Sequence, residues 1–133
     1  MRYHQKNLVS ELGFIKVRDI PYFIIGISIV LENRLACSSY AHYTGSFSIA
    51  MHNRDEAYCM EWKNGKLKAV TPVKQEHGEI DIERDRFVKL LFGRISPKEM
   101  ENEFSMYYFN NDDYHNLIEI LFPKMQSQVV SVN

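Results

Sequence analysis

The chain has 133 residues, 45% of them hydrophobic and 25% charged, with a formal net charge of −1. That size fits one domain able to bury roughly two thirds of its unfolded surface, and the composition excludes a disordered chain. No basic stripe argues for nucleic acid and no acidic tail for a basic partner; the 2 cysteines, Cys37 and Cys59, form neither a secreted disulfide framework nor a CxxC metal motif, so reduced, packed thiols are expected.

The opening "MRYHQKNLVSELG" lacks the apolar core of a signal peptide, so a cytoplasmic protein is the expectation. "GFIKVRD" sets Ile15 and Val17 against Phe14, Lys16 and Arg18, a short strand pattern. The most hydrophobic run, Ile20 to Leu31, falls short of the about 20 residues a membrane span needs. Asp19 can cap a helix through this run, with Pro21 in its first turn. Phe23, Ile27, Val30 and Leu31 then fall at helical spacing. The β-branched Ile24, Ile25, Ile27, Ile29 and Val30 support a buried strand as the competing reading; the helix is favoured.

"GSFSIAMH" alternates with period two: Phe47, Ile49 and Met51 on one side, Ser46, Ser48, Ala50 and His52 on the other. In "AYCMEWKNGKLKAVT", Asn64-Gly65 is the preferred pair for a two-residue type I′ hairpin, because both positions need positive φ. That turn predicts Lys63 opposite Lys66, Trp62 opposite Leu67, Glu61 opposite Lys68, Met60 opposite Ala69 and Tyr58 opposite Thr71. One face then carries Tyr58, Met60, Trp62, Leu67 and Ala69 and lies on a core, while Glu61 and the lysines face outward. "GEIDIE" gives another strand through Ile80 and Ile82.

The remainder reads as helices. Phe87, Leu90 and Leu91 share a face, and Gly93 suits the left-handed residue that ends a helix. Ser96 and Glu99 form a capping box with Pro97 in the first turn, and Ile95 and Met100 occupy the two positions of a hydrophobic staple. After Asn110–Asp113, the residues Tyr114, Leu117, Ile118, Leu121 and Phe122 line one stripe, which Pro123 stops. The expected order is strand, helix, three strands, strand, then three helices. That is an α+β domain: a mostly antiparallel sheet of about five strands with helices on one face. It spans 1–133, with tails at 1–12 and 125–133.

Candidate chemistry is sparse. Among the 5 histidines, His4, His42, His52 and His77 make no HxH or HExxH pattern. His115 shares a helix face with Asp112 and Glu119, read as solvent-exposed ion pairing rather than a metal site. The acids Asp81, Glu83 and Asp85, and Asp112 with Asp113, sit at predicted helix starts, where they favour the macrodipole. Cys37 lacks a nucleophile's context. Tyr40, Tyr43, Trp62, Tyr107, Tyr108 and Phe109 are read mainly as core; exposed together, they would mark an interface or an apolar groove. No catalytic, cofactor-binding or metal-binding residue is assigned.

Several of these stretches, taken in order, carry a resemblance. "FIKVRDI" (Phe14 to Ile20), "GSFSIAMHNRD", the Trp62-Asn64-Gly65 hairpin, "IDIERDRFVKLLFG" followed by "SPKEM", and "NLIEILFPK" run from Phe14 to Lys124. Together they resemble the C-terminal domain of a subset of bacterial GNAT-superfamily N-acetyltransferases, including the enhanced intracellular survival type. That domain is similar to sterol carrier protein. The resemblance implies an accessory domain that shapes an acceptor pocket or an oligomer and is not catalytic alone. It also implies acetyl-CoA for a full-length relative, and in some relatives a catalytic terminal carboxylate, here that of Asn133. No Q/RxxGxG/A pyrophosphate loop occurs in the chain, so no cofactor is expected within it. The expected partner is a GNAT catalytic domain or subunit, joined as a longer or split protein, and self-association through the face that would meet it is expected. The alternative is a free-standing carrier of a lipid or acyl ligand.

Overall fold

The computed structural model describes residues 19–52, 54–75, 78–103, 106–108 and 113–125. The elements in chain order are α1 (Asp19–Gly26), α2 (Ser28–Ala36), β1 (Gly45–Met51), β2 (Ala57–Lys63), β3 (Lys66–Val73), β4 (Ile80–Ile82), α3 (Arg84–Leu91), α4 (Pro97–Asn102), β5 (Met106–Tyr108) and α5 (Asp113–Leu121). The strand expected over Phe14–Arg18 lies outside the described residues, as does the tail at 1–12.

The strands form a five-stranded sheet in the order β3-β2-β1-β4-β5. β1 and β4 run parallel; the other neighbouring pairs are antiparallel. The expected mostly antiparallel sheet is therefore present, but one of its edges is β5. The expected order lacks that strand, because three residues between two helices are too few to show alternation.

Pairing puts Phe47, Ile49 and Met51 on the same face as Tyr58, Met60, Trp62, Ile80 and Ile82. All are buried. Helices cover this face: Phe87 of α3 stacks on Tyr58, and Tyr114 of α5 lies against Phe47 at a ring distance of 5.8 Å. The other face is crossed by the β3–β4 connection. Gln75 donates to Ser48 Oγ, and Ser48 donates from its backbone N and from Oγ to the Glu79 carboxylate. Gly78 passes so close that a Cβ there would lie 2.6 Å from the Ser48 carbonyl oxygen. Burying apolar area on one face and bridging the other with polar groups gives the sheet its two unlike sides.

The hairpin turns where expected, with φ 51° at Asn64 and φ 80° at Gly65. Lys63–Lys66 and Trp62–Leu67 pair as read from the turn. Beyond them the register shifts: Glu61 faces Ala69 rather than Lys68, Met60 faces Val70 and Tyr58 faces Pro72. A bulge at this point moves Val70 onto the core face, where it is 9% exposed, in place of Ala69. The larger β-branched side chain buries more apolar area, and one extra residue in an edge strand is an accepted way to achieve that.

The apolar run is helical but not continuous. Ile27, at φ −106° and ψ 17°, separates α1 from α2, although its N–H still donates to the carbonyls of Phe23 and Ile24. Of the expected stripe, Leu31 is buried and Phe23 and Ile27 pack against the core, whereas Val30 is exposed; Ile20, Ile24 and Leu35 complete the buried side. With Ile27 packed against the core between them, these positions keep one helical period through the break, across which the Ile27 N–H bonds the Phe23 carbonyl and the Leu31 N–H the Ile27 carbonyl. Arg34, in the last turn of α2, donates from Nη1 to the Leu121 carbonyl at 2.8 Å and ties α2 to the end of α5.

The remaining devices form as read. Gly93, at φ 72°, follows α3; its N–H donates to the Leu90 carbonyl, and that of Arg94 to the Lys89 carbonyl. These are the two bonds of a Schellman motif. Ser96 Oγ accepts from the Glu99 N–H at 3.0 Å, and the Glu99 carboxylate accepts from the Ser96 N–H at 2.9 Å. Ile95 and Met100 are both buried, as a staple requires. Leu117, Ile118, Leu121 and Phe122 are buried along the stripe of α5 and just beyond it.

Candidate functional site

The most distinctive surface lies on α1 and α2. Tyr22, Ile25, Ile29 and Val30 are 68%, 46%, 69% and 44% exposed. Tyr22, Ile25 and Ile29 follow one another at helical spacing, so the exposed side chains form a stripe rather than scattered points. One turn beyond Ile29, Glu32 accepts a bond from the Leu67 backbone N–H at 3.0 Å, and its carboxylate lies 3.9 Å from Lys66 Nζ. The helix pair is thereby fixed over the turn end of the β2–β3 hairpin. Trp62 lies at the same end, paired with Leu67 and Gly45. It is 1% exposed, and its Nε1 has no acceptor among the described residues.

At the opposite end of the hairpin is a cavity of about 440 Å³ bordered by Arg54, Asp55, Glu56, Pro72, Val73 and Lys74. Glu56 accepts from the Tyr58 hydroxyl at 2.5 Å and from Arg84 Nε at 3.5 Å, and the Glu56 and Arg84 side chains are each 11% exposed. A shared carboxylate between a buried phenol and a guanidinium is a satisfied polar network. Its charges are consumed in holding β2 to α3, which makes this a structural anchor at the cavity wall.

Burial and the neighbouring carboxylate push the Tyr58 hydroxyl well above the usual phenol range, against the opposing effect of Arg84. Tyr43 is pushed up to about 12, first by burial and then by Tyr114, Glu79 and Asp113. Both shifts favour the neutral phenol in the folded state. Their contribution to stability is therefore complete below a pH of about 10, the usual phenol value, and is lost as pH rises through the folded-state values. Spectrophotometric titration is expected to show two tyrosines ionising late, with thermal stability falling over the same alkaline range. Early ionisation of every tyrosine would contradict it.

The residues singled out by sequence are dispersed. His42 and His52 are exposed, His42 bonding Asn64 at the hairpin turn. His115 meets Glu101 of α4 at 2.7 Å and Glu119 at 3.5 Å, so its partners come from two helices rather than one. Asp112, His4, His77 and Asn133 lie outside the described residues. Asp81 is buried in β4, not at a helix start, and accepts from the Gly78 N–H. Glu83 precedes α3 and Asp85 and Asp113 lie in first turns, as expected. Cys37 is exposed, contrary to the packed thiol expected, because α2 ends with it turned from the core. Cys59 is half-buried on the outer face; burial first, then Glu79 and Glu61, raises its thiol pKa, against a bond from Ser46. Such a thiol is a poor nucleophile. Tyr40 and Tyr43 are half-buried against the core cluster, and the side chains of Tyr107, Tyr108 and Phe109 lie outside the described residues. No group of His, Cys, Asp and Glu among the described residues could hold a metal ion, and no described helix is long and apolar enough to cross a membrane.

Sequence reasoning misses the exposed stripe because it absorbs Tyr22, Ile25 and Ile29 into one buried apolar run. The signal is present in the run itself, which is apolar over more of its circumference than one packed face requires.

No protein-family model and no curated protein matches the chain. Among solved structures, it is similar to a crystal structure of sterol carrier protein 2, with a TM-score of 0.50 and 12% identity over 72% of this chain and 87% of that one. It is also similar to the solution structure of a conserved hypothetical protein from Thermus thermophilus, whose description proposes a sterol carrier protein, with a TM-score of 0.54 and 12% identity over 83% and 88% of the two chains. Neither description names an acetyltransferase. At this identity the likeness is one of fold: the chain has a sterol-carrier-like α+β architecture.

Proposed function

We propose that the chain carries an apolar ligand in the cytoplasm, taken up on the α1–α2 side of the sheet, and that it does so without a cofactor of its own. The observation that carries this reading is the exposed stripe of Tyr22, Ile25, Ile29 and Val30 on helices that cover the core face of a sterol-carrier-like fold. Four large apolar side chains grouped at the surface gain free energy by contact with an apolar partner, at about 25 cal/mol for each Å² removed from water. A medium-chain alcohol such as decan-1-ol is a suitable probe. It is expected to raise the melting temperature of the wild-type chain by mass action. Ile29→Asp is expected to leave the unliganded stability within about 0.5 kcal/mol, as for surface changes away from packed groups. The same change should suppress the ligand-induced rise, and an undiminished rise in it would move the site elsewhere.

The same stripe could instead receive a GNAT catalytic domain or a second copy of this chain, as the ordered sequence motifs imply. That accessory reading expects no thermal response to apolar probes. It expects a concentration-dependent complex that Ile29→Asp dissolves in analytical ultracentrifugation.

A further inference from the structure

We infer that the cavity where β2 begins and β3 ends is a second ligand site, built for a small organic monoanion: one carboxylate on a compact apolar group such as a phenyl ring. The inference is independent of the carrier reading, because this cavity lies at the opposite end of the hairpin from Glu32 and the turn. Its volume of about 440 Å³ falls within the range of roughly 300–1,000 Å³ usual for small-molecule pockets. Backbone bonds hold its walls. Ala57 pairs with Val73, and Tyr58 with Pro72. The turn before β2 is closed by the Met51 N–H donating to the Glu56 carbonyl at 2.8 Å and the Arg54 N–H donating to the Met51 carbonyl at 3.1 Å.

Charge decides what the cavity takes. Glu56 is already engaged by Tyr58 and Arg84, so it does not neutralise the other side chains at the rim. Arg54 and Lys74 are exposed, and neither has a carboxylate partner among the described residues. Asp55, also exposed, is the remaining charge. With Glu56 and Arg84 cancelling each other, two cations stand against one free carboxylate, and the rim keeps a surplus of positive charge. A single carboxylate matches that surplus and can meet the Arg54 guanidinium in bidentate fashion. A second negative charge on the ligand would face Asp55. Ala57, Pro72 and Val73 supply the apolar part of the lining. That is enough surface for one ring, whose face the guanidinium can also cover. A long acyl chain would leave most of its length in water.

The test is a nuclear magnetic resonance titration of the nitrogen-15-labelled chain with phenylacetate, neutral phenylacetamide and doubly charged phenylmalonate. Phenylacetate is expected to shift the amide signals of Arg54 to Ala57, Val73 and Lys74, and to leave that of Ile29 in place. The amide and the dianion are each expected to bind about tenfold more weakly. In the double variant Arg54→Gln with Lys74→Gln, phenylacetate is expected to lose about tenfold in affinity, with phenylacetamide unaffected. Unchanged signals away from the cavity verify that the variant is folded, and the comparison of probes on the wild type stands without it. Signals that move only in α1 and α2, equal affinity of wild type and double variant, or no shift with phenylacetate overturns the site and leaves the carrier reading intact. Cavity shifts with phenylacetate in a chain that decan-1-ol does not stabilise would uphold this site and sink the carrier reading alone.

Discussion

Gly65→Ala is expected to lower stability by about 3 kcal/mol, with the melting temperature falling by about 10 °C. Gly65 has φ 80°, a conformation that costs an L-residue roughly 1–2 kcal/mol. The added Cβ would also stand 2.2 Å from the Ala41 carbonyl oxygen. That oxygen is backbone, in a segment held by the bond from the Gly65 N–H to the Tyr43 carbonyl at 2.9 Å, so it cannot yield as a flexible side chain would. Gly26→Ala is the control. Nothing lies within 4 Å of a Cβ there, and the helix gains a better former, so a change of about 1 kcal/mol toward greater stability is expected. Chemical denaturation of both variants measures the pair; equal effects would refute the close approach at the turn.

Glu56→Ala is expected to cost about 3 kcal/mol. The carboxylate accepts from both Tyr58 and Arg84, and the Arg84 side chain is only 11% exposed. The change takes away the acceptor that a guanidinium and a phenol share in a poorly hydrated place, which is the costly way to break such a network. Tyr58→Phe removes one bond of the network and is expected to cost about 1 kcal/mol. A double-mutant cycle between the two changes gives their coupling. Additive losses would show that Tyr58 and Glu56 act independently.

Much of the architecture is legible in the residues because it rests on local signals. Asn64-Gly65 announces its turn, Gly93 its helix end, and Ser96 with Glu99 a helix start, each through backbone chemistry confined to a few residues. The hairpin register beyond Trp62 is not legible in the same way. It depends on whether Ala69 or Val70 packs under the helices, a tertiary choice made through a bulge. β5 escapes for a similar reason, since its pairing partners lie in β4 rather than nearby in the chain. The division of Ile20–Leu31 into α1 and α2 follows from packing on β3 and α5, which reach the run only in the fold.

The candidate site is less legible than the fold. Alternation along the hairpin places Trp62 toward the core, as found, but an unmet indole donor is a property of its neighbours and has no mark in sequence. Exposure of Tyr22, Ile25 and Ile29 is likewise decided by which side of each helix the sheet occupies. Motif order points at once to a sterol-carrier-like fold and to an acetyltransferase context; the similar solved structures support the fold.

Native mass spectrometry of the intact chain mixed with decan-1-ol tests the carrier reading most directly. The expected spectrum shows a one-to-one adduct that persists under gentle activation and disappears in Ile29→Asp. A spectrum of bare chain at saturating alcohol, with wild type and variant alike, would contradict it.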